Sequence, residues 1–347
     1  MAEYNRGSRM RDDDILILKG EEVNSILKDR ELELIDTVRT AYQTHALEDS
    51  TLPHSTFLRF PDSEKNRIIA LPAYLGGDFK VAGVKWVSSF PDNINAGLDR
   101  ASAAVILNST ETGRPEAFLE GSIISAKRTA ASAALAARTL SVEKKTTIVG
   151  LIGCGLINYE ITRFLIAALT EIQKLLVFDL DSNRANEFRN KCKLLADIEV
   201  EAVSSASDVF AGASLISLAT TAVKPHIFDI SKCPSGTTIL HISLRDFSPE
   251  IILSSDNVVD DVDHVCRAQT SVHLAEQMEG DRGFIRGTLA DILLGRMPAR
   301  KDNESMAIFS PFGLGVLDLA VAKLVYDRGR SERMGTLIPS FLPKPWR

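Results

Sequence analysis

The sequence predicts an α/β fold, in which a Rossmann-type doubly wound parallel sheet is inserted in a smaller α+β domain. Two observations predict it. Residues 146–158 (TTIVGLIGCGLIN) pass from a short apolar run into a Gly-x-Gly turn, and the next apolar run, KLLVFD, ends at Asp179. Downstream of Asp179, strand-like and helix-like segments alternate as a parallel sheet requires. A strand, a glycine turn, a helix and a following acid form the first βαβ unit of a dinucleotide-binding domain.

Length and composition fit two soluble domains. The chain has 347 residues, 45% of them hydrophobic and 25% charged. The predicted domains are residues 1–129 with 320–347, and residues 130–319. Net charge is −6 and the 40 Lys and Arg residues are dispersed, which argues against nucleic acid or a membrane surface as a partner. We find neither a signal peptide nor a membrane-length apolar run, so a cytoplasmic location is expected.

Before the glycine turn, the chain is predicted to form a small mixed domain. Residues 1–14 are a polar tail, ILIL (15–18) is a strand, and residues 21–47 have the apolar spacing of a helix pair. Four β-like runs follow, separated by turn residues: STFLRF, RIIALPAYL, VAGVKWVS and ASAAVILN. Residues 113–140 are predicted to form one long Ala-rich helix.

After Asp179 the elements alternate. Helices are predicted at 184–195 and 206–212, and strands at 199–203, 214–220, 237–244 and 257–261. The chain closes with an amphipathic helix at 316–330 and a Pro-containing tail, and this end is expected to return to the first domain.

The glycine turn predicts how a dinucleotide is bound. Gly153 allows a tight turn, and Gly155 lets backbone N–H groups approach a pyrophosphate. Leu156 and Ile157 begin a helix whose positive end faces that anion. Asp179, 24 residues after Gly155, would accept hydrogen bonds from the ribose hydroxyls and repel a 2′-phosphate. NAD is therefore predicted over NADP.

Asn158 stands where the motif has its third glycine. Its side chain is larger than the pattern expects at a close helix–strand contact. We therefore expect the helix to sit slightly further out.

The cysteines predict neither a metal site nor disulfides. Cys154, Cys192, Cys233 and Cys266 form no C-x-x-C pair and have no His at ligand spacing. We expect free thiols and no bound metal. Cys154, inside the glycine turn, is interpreted as a small residue that fits there.

Two cations stand in unusual surroundings. Lys85 lies between Val84 and Trp86 in a β-like run, so it faces away from both apolar neighbours. Arg128 lies in a helix of small residues, where a guanidinium has little to contact except an anion. Pattern alone leaves the alternative that each is an exposed surface cation.

Asp246 follows the strand that begins at His241, at the carboxyl edge of the predicted sheet, where ligands of this fold bind. The alternative is an aspartate that caps a turn before Pro249. His241 itself is interpreted as a core or backbone-bonded histidine.

Several stretches together resemble the ornithine cyclodeaminase/μ-crystallin family over nearly the whole chain. They are GVKWV (83–87), AKRTAA (126–131), the glycine turn, TILHIS (238–243) and IFSPFGLGVLDLA (308–320). Within it, RIIALPAYLGG, VKWVSSFPDN and RASAAVILNSTETGRPEAFLEGSIIS are more similar to the branch that oxidises N-(2-amino-2-carboxyethyl)-L-glutamate.

The resemblance implies a reaction and an assembly. In that branch NAD oxidises the glutamate Cα–N bond, and hydrolysis of the imine releases 2-oxoglutarate and L-2,3-diaminopropionate for siderophore or peptide-antibiotic assembly. The implied fold is a dimerisation and substrate domain built from both chain ends, with the nucleotide domain inserted between them. A homodimer acting on a small amino-acid-derived substrate is expected.

The resemblance also implies roles for single residues. Lys85 and Arg128 would bind a substrate carboxylate, and Lys85 would also act catalytically by lowering the barrier to imine chemistry electrostatically. Arg59 would be a further carboxylate ligand, with Arg67 as its rival. Asp246 would stand beside the nicotinamide and the substrate amine, accept a proton before hydride transfer, and then orient the attacking water.

Further residues are implied on the cofactor side. Thr129 would bond the cofactor phosphates, and Thr220 and Thr221 stand at a strand end where the family holds the cofactor. Ser310 and Gly313 match the loop on the nicotinamide side.

Two other functions stay open. One keeps the fold and changes the reaction, to ornithine cyclodeaminase or another amino-acid or imine dehydrogenase. The other is a non-enzymatic nucleotide-binding protein.

Overall fold

The computed structural model describes residues 13–141, 147–344 and 346. The chain divides into two compact units, residues 1–128 with 314–347 and residues 129–313. Residues 1–12, most of the predicted polar tail, lie outside the described residues. The sequence places the second boundary after residue 319, which would cut a helix that belongs whole to the first unit.

The first unit is built around a mixed sheet. Up to the first boundary its elements are, in chain order, β1 (Ile15–Leu18), α1 (Gly20–Leu27), α2 (Glu31–Ala46), β2 (Ser50–Thr51), β3 (Thr56–Phe60), β4 (Ser63–Leu75), β5 (Val81–Ser89), a 3₁₀ turn (Pro91–Ala96), β6 (Ala101–Asn108), β7 (Pro115–Glu120) and α3 (Ser122–Leu140). The boundary between the units falls within α3. The predicted strands and helix pair of this region are confirmed.

The long helix predicted at 113–140 is wrong over its first part. Residues 115–120 form β7, which pairs in parallel with β1 and antiparallel with β6. Ala117 and Leu119 are buried while Phe118 between them is exposed, which is the period of a strand. The carboxylate of Glu120 accepts the N–H groups of Ser122 and Ile123 at 2.7 and 3.0 Å, where α3 begins.

The second unit contains β8 (Ile148–Ile152), α4 (Leu156–Ala168), β9 (Lys174–Phe178), α5 (Ser182–Cys192), β10 (Glu199–Ala202), α6 (Ala206–Gly212), β11 (Leu215–Leu218), β12 (Thr238–His241), α7 (Pro249–Leu253), β13 (Asp256–Val259), α8 (Val262–Val265), α9 (Ser271–Glu279), β14 (Ile285–Thr288), α10 (Leu289–Leu293) and β15 (Ala307–Ser310). Its parallel strands run in the order β10-β9-β8-β11-β12-β15-β13-β14. The order reverses between β8 and β11, so the predicted doubly wound sheet is confirmed.

The chain then returns to the first unit as α11 (Gly315–Ser331) and β16 (Thr336–Ile338). β16 pairs with β1 at the edge of the mixed sheet, and α11 packs on β4, β5, β6 and α2. Most of α11 is buried, so it forms the centre of this unit's core.

None of the described helices combines the length and the apolar character needed to cross a bilayer. The described residues also contain no group of three or more His, Cys, Asp or Glu side chains arranged to hold a metal ion. The four cysteines are free thiols, and burial raises the pKa of Cys154 to about 12. Cys154 is therefore a packing residue at neutral pH.

Candidate functional site

In the first unit, Lys85 lies buried on the inner face of the mixed sheet. It stands on β5 in register with Leu71 of β4 and Val105 of β6, and only 2% of it is exposed. Its Nζ donates to Oδ2 of Asp318 at 2.6 Å and to Oγ of Ser125 at 3.1 Å. The alternative of a surface lysine is thereby excluded.

Arg128 reaches the same carboxylate. Its Nε donates to Oδ1 of Asp318 at 2.9 Å, and Asp318 itself is fully buried in the first turn of α11. Ser125 and Arg128 lie one turn apart on α3, which explains how one helix supplies both contacts. Two cations thus share one carboxylate, and the cluster of Lys85, Arg128 and Asp318 carries one net positive charge when Lys85 is protonated.

The burial of this cluster changes the pKa of Lys85. Burial and the nearby charge of Arg128 lower its pKa to about 8, while the attraction of Asp318 acts in the opposite direction. A buried charge without full compensation is costly in free energy. An anion bound at this cluster would offset the excess charge, and a carboxylate suits the donors of Lys and Arg.

Sequence reasoning missed Asp318. It lies inside the quoted motif IFSPFGLGVLDLA, in a helix whose neighbouring positions, including Leu317 and Leu319, are fully buried. An acidic residue among buried apolar neighbours of a helix is the signal that was available, because such a carboxylate requires a cation.

Arg59 does not join the Lys85 cluster. It lies on β3 directly opposite Arg67 of β4, and its guanidinium carbon is 5.6 Å from the centroid of the Phe57 ring. The Arg67–Ser89 pair lies four residues along the sheet from the Leu71–Lys85 pair. The predicted substrate cations therefore form two groups, a buried one at Lys85 and Arg128 and a separate one at Arg59 and Arg67.

In the second unit, the glycine turn has the geometry of an anion cradle. Gly153 has φ = +90°, and a Cβ there would lie 2.5 Å from the carbonyl oxygen of Ala219, so only glycine fits. A Cβ at Gly155 would meet nothing within 4 Å, so the space above this residue is open. Gly155 is the N-cap of α4, and Leu156 and Ile157 form the first turn. The N–H groups of the first turn of a helix have no partner within the helix and are available to an anion.

Asp179 follows β9 and closes the turn from the side. Its Oδ2 accepts the N–H of Cys154 at 2.8 Å, and its Oδ1 accepts the N–H of Asp181 at 3.0 Å. Each oxygen keeps a further lone pair, which is the acceptor that ribose hydroxyls require.

Asn158 connects the glycine turn to the neighbouring strands by hydrogen bonds. It is fully buried, and its Nδ2 donates to the carbonyl oxygens of Ile152 at 2.9 Å and Gly153 at 2.7 Å. Its Oδ1 accepts the hydroxyl of Ser217 on β11 at 2.8 Å. The larger side chain thus ties α4 to β8 and β11 by hydrogen bonds, where a third glycine would rely on close packing alone.

Asp246 is the centre of a buried polar network. It is fully buried, and its carboxylate accepts the hydroxyls of Thr220 and Ser243 and lies 3.2 Å from Nε2 of His241. Burial raises its pKa, but the hydrogen bond and charge of His241 and the two hydroxyls outweigh that effect and lower it to about 2. The alternative of a turn cap before Pro249 does not describe these contacts. A carboxylate this acidic is a weak proton acceptor.

His241 links that network to β15. It is fully buried, its ring lies 4.7 Å from that of Phe247, and its Nδ1 is 3.4 Å from the hydroxyl of Ser310. It is therefore a hydrogen-bonded core histidine. Thr220, Asp246, His241 and Ser310 thus form one chain of polar contacts across the carboxyl ends of β11, β12 and β15.

The remaining predicted cofactor residues differ in their surroundings. Gly313 has φ = +92° and donates its N–H to Oδ2 of the buried Asp260 at 2.7 Å, while Phe312 donates to Oδ1 at 2.9 Å. Burial raises the pKa of Asp260 to about 6. Sequence reasoning missed Asp260, which fixes the loop after Ser310. Thr221 is exposed, and Thr129 is half-buried on α3 beside Arg128.

Comparison with known proteins decides the family. The sequence pattern of the ornithine cyclodeaminase/mu-crystallin family matches residues 16–333. The chain belongs to this family. The resemblance indicated by the sequence motifs is thereby confirmed. The parallel sheet of this chain has the strand order expected of a dinucleotide-binding domain.

Three relatives are informative. The N-((2S)-2-amino-2-carboxyethyl)-L-glutamate dehydrogenase of Staphylococcus aureus is 28% identical over 88% of this chain and 92% of its own length. The Thermococcus litoralis Delta(1)-pyrroline-2-carboxylate reductase, solved with NADH and L-proline, superimposes with a TM-score of 0.86 at 28% identity, over 93% of this chain and 99% of that one. An archaeal alanine dehydrogenase dimer with bound NAD superimposes with a TM-score of 0.84 at 29% identity, over 94% of this chain and 99% of that one.

The shared carboxylate yields a stability prediction. Asp318→Asn leaves two buried cations without an anion, and we expect the free energy of unfolding to fall by about 3–5 kcal/mol, the usual cost of breaking a buried pair. Urea unfolding at neutral pH measures it. The matched control is Asp327→Asn on the same helix, where an exposed pair with Lys323 at 2.5 Å should contribute about 1 kcal/mol or less. Equal losses in the two variants would contradict the buried-cluster interpretation.

Proposed function

We propose that this protein is an NAD-dependent dehydrogenase that acts on the CH–NH bond of an amino-acid-derived substrate. The observation that carries the proposal is the buried pair of cations, Lys85 and Arg128, on one carboxylate. The same chain has a glycine turn of the dinucleotide-binding type. Two solved relatives of the family are complexes with NADH or NAD, which supports NAD as the cofactor.

The residues of the turn fit the cofactor. The pyrophosphate would lie over Gly155 and receive the N–H groups of Leu156 and Ile157, because the space there is open. Asp179 would accept the ribose hydroxyls. We place Thr129, Thr220, Thr221, Ser310 and Gly313 around the rest of the cofactor. When bound, NAD supplies the hydride acceptor.

Lys85 and Arg128 would hold the substrate. A guanidinium and an ammonium that share one carboxylate keep a net positive charge, so they bind the α-carboxylate of an amino acid and fix its Cα in position. Release of hydride from Cα leaves positive charge on the substrate nitrogen. That step is favoured by preorganised negative charge.

Asp246 would supply this negative charge. Its pKa of about 2 keeps it ionised, and the bonds from Thr220, Ser243 and His241 fix its orientation. We therefore propose electrostatic stabilisation of the imine cation as its main role, because proton acceptance from the amine suits a group with a higher pKa.

The specific reaction that we propose is the oxidation of N-(2-amino-2-carboxyethyl)-L-glutamate. Substrate, NAD⁺ and water give 2-oxoglutarate, L-2,3-diaminopropionate, NADH and a proton: the glutamate Cα loses hydride to NAD⁺, and water cleaves the resulting imine. The branch-specific motifs and the Staphylococcus aureus relative support it. The diaminopropionate would enter siderophore or peptide-antibiotic assembly.

A substrate panel tests this assignment. We expect NADH absorbance and diaminopropionate when the protein meets NAD and the glutamate adduct, and no NADH with L-alanine, L-proline or L-ornithine. Lys85→Met should reduce turnover by at least about a hundredfold because the carboxylate contact is lost, while Lys80→Met, an exposed lysine next to β5, should leave it unchanged.

The other outcomes of the panel would indicate the alternative functions. NADH formed with alanine alone would indicate an amino-acid dehydrogenase. Proline formed from ornithine, with no NADH produced, would indicate a cyclodeaminase. NAD binding with no turnover on any compound would indicate a non-enzymatic nucleotide-binding protein.

The open space at Gly155 gives a test of cofactor binding. Its φ of −103° is accessible to any residue, so Gly155→Val should fold as the wild type does. The new side chain would occupy the pyrophosphate position, and NADH fluorescence titration should show affinity reduced more than about tenfold, or about 1.4 kcal/mol. Gly153→Ala, by contrast, should lower the melting temperature. Unchanged NADH affinity in Gly155→Val would contradict the proposed position.

We also propose a homodimer. The sheet face opposite Lys85 is apolar and not covered by α11, and Trp86 and Phe118 on it are 44% and 46% exposed. The register brings seven apolar side chains together there: Ala70, Pro72, Val84, Trp86, Ala104, Ile106 and Phe118. Such a face is typical of an interface. The archaeal relative solved as a dimer supports the proposal.

Sedimentation tests the dimer. Trp86→Glu should produce a monomer, because a charge would be buried in the interface. Leu32→Glu, on an exposed helix position, should stay dimeric. A monomeric wild-type protein would contradict the proposal.

A further inference from the structure

His226 lies beside the carboxylate of Asp246, in the loop that follows β11. Its Nε2 is 4.0 Å from Oδ1 of Asp246, the oxygen that accepts the hydroxyl of Thr220. The side chain of His226 is 50% exposed, whereas that of Asp246 is fully buried. The imidazole therefore extends from the buried carboxylate to solvent.

Backbone hydrogen bonds hold His226 in this position. The N–H groups of His226 and Ile227 both donate to the carbonyl oxygen of Asp246 at 2.9 Å, and Ile227 forms a parallel bridge with Phe247. Ile227 is buried, and its carbonyl oxygen accepts the N–H of Ser248 at 3.0 Å. The main chain of His226 is thus fixed to the residue that carries the carboxylate, and only the imidazole is left to rotate.

The second histidine at Asp246 has different surroundings. His241 is fully buried, with its Nε2 at Asp246 and its Nδ1 at the hydroxyl of Ser310. Both of its ring nitrogens are therefore engaged inside the protein. The ring of His226 makes no hydrogen bond to any residue that the structure describes, so its nitrogens are available to a substrate or to water.

Oxidation of an amine requires a proton acceptor. The amine of an amino-acid-derived substrate is an ammonium ion at neutral pH, and hydride can leave Cα only after the nitrogen lone pair is free. Asp246, with a pKa of about 2, is a weak proton acceptor. Histidine is the side chain that most often transfers protons near neutral pH.

We propose that His226 is the catalytic base and acid of the reaction, next to the fixed negative charge of Asp246. The inference rests on the proposed function, which places the substrate nitrogen at Asp246. One imidazole nitrogen takes a proton from the substrate ammonium and releases it to solvent through the exposed side of the ring. The C–H electron pair then leaves Cα as hydride to NAD⁺, and the nitrogen lone pair forms the C=N bond of the iminium ion.

The same imidazole serves the hydrolysis of the iminium ion. A water oxygen bonds to the imine carbon, and His226 passes the protons of that water to the nitrogen. The C–N bond breaks with its electron pair on nitrogen, and the oxygen becomes the carbonyl oxygen of the keto acid. Both water protons end on the departing amine, so the one proton released overall is the proton taken in the first step.

Steady-state kinetics with NAD and N-(2-amino-2-carboxyethyl)-L-glutamate test this role. His226→Gln should lower kcat at least about a hundredfold and change KM less than about twofold, because only proton transfer is lost. Its melting temperature and its NADH affinity, measured by fluorescence titration, should equal those of the wild type. His273→Gln, on α9 and 3.2 Å from Gln277, is the matched control and should keep the wild-type kcat.

Added imidazole separates proton transfer from a structural role. His226→Ala leaves a space that is open to solvent, since half of the native side chain is exposed. Imidazole in solution should enter this space and raise the kcat of the variant at least about tenfold. It should leave the wild-type rate unchanged.

The outcomes distinguish a failure of this role from a failure of the proposed function. Wild-type kcat in His226→Gln, a raised KM with unchanged kcat, or no response of His226→Ala to imidazole would each overturn the role of His226 and leave the proposed function standing. A wild-type protein that forms no NADH from the glutamate adduct would overturn both.

Discussion

The first unit depends on one buried carboxylate. Asp318 accepts from both Lys85 and Arg128, at 2.6 and 2.9 Å, and so joins β5, α3 and α11 at a single point. It allows two cations to be buried, yet it neutralises only one of them. Burial, with the charge of Arg128 in addition, lowers the pKa of Lys85 to about 8. The same contact therefore stabilises the core and leaves a net positive charge, and under the proposed function this charge links folding to substrate binding.

In the second unit, the glycine turn is held in place while the space above it stays open. Gly153 is forced by the approach of Ala219, Gly155 leaves the opening, and Asn158 ties the turn to the sheet by three hydrogen bonds. Asp179 holds the turn from the other side. A rigid, open cradle reduces the ordering that cofactor binding must otherwise impose.

Local patterns predicted most of the fold, because period-two and helical spacing and glycine turns act over short distances. They predicted the strands around Lys85, the doubly wound sheet and the turn at Gly153. They misassigned β7, since an Ala-rich helix directly follows it and Gly121 alone marks the boundary. They also missed Asp318 and Asp260, because the partners of these carboxylates lie far away in sequence, up to 233 residues for Lys85 and Asp318. Contacts of that kind exist only after folding.

A pH titration of the lysine side-chain NMR signals in the free protein tests the central claim most directly, with Lys85→Arg to assign the resonance. The account predicts that Lys85 titrates at about 8, well below the ~10.4 of exposed lysines, and that a carboxylate ligand such as pyruvate raises this pKa by offsetting the charge of Arg128. A Lys85 signal that titrates with the exposed lysines, or that does not respond to the ligand, would contradict it.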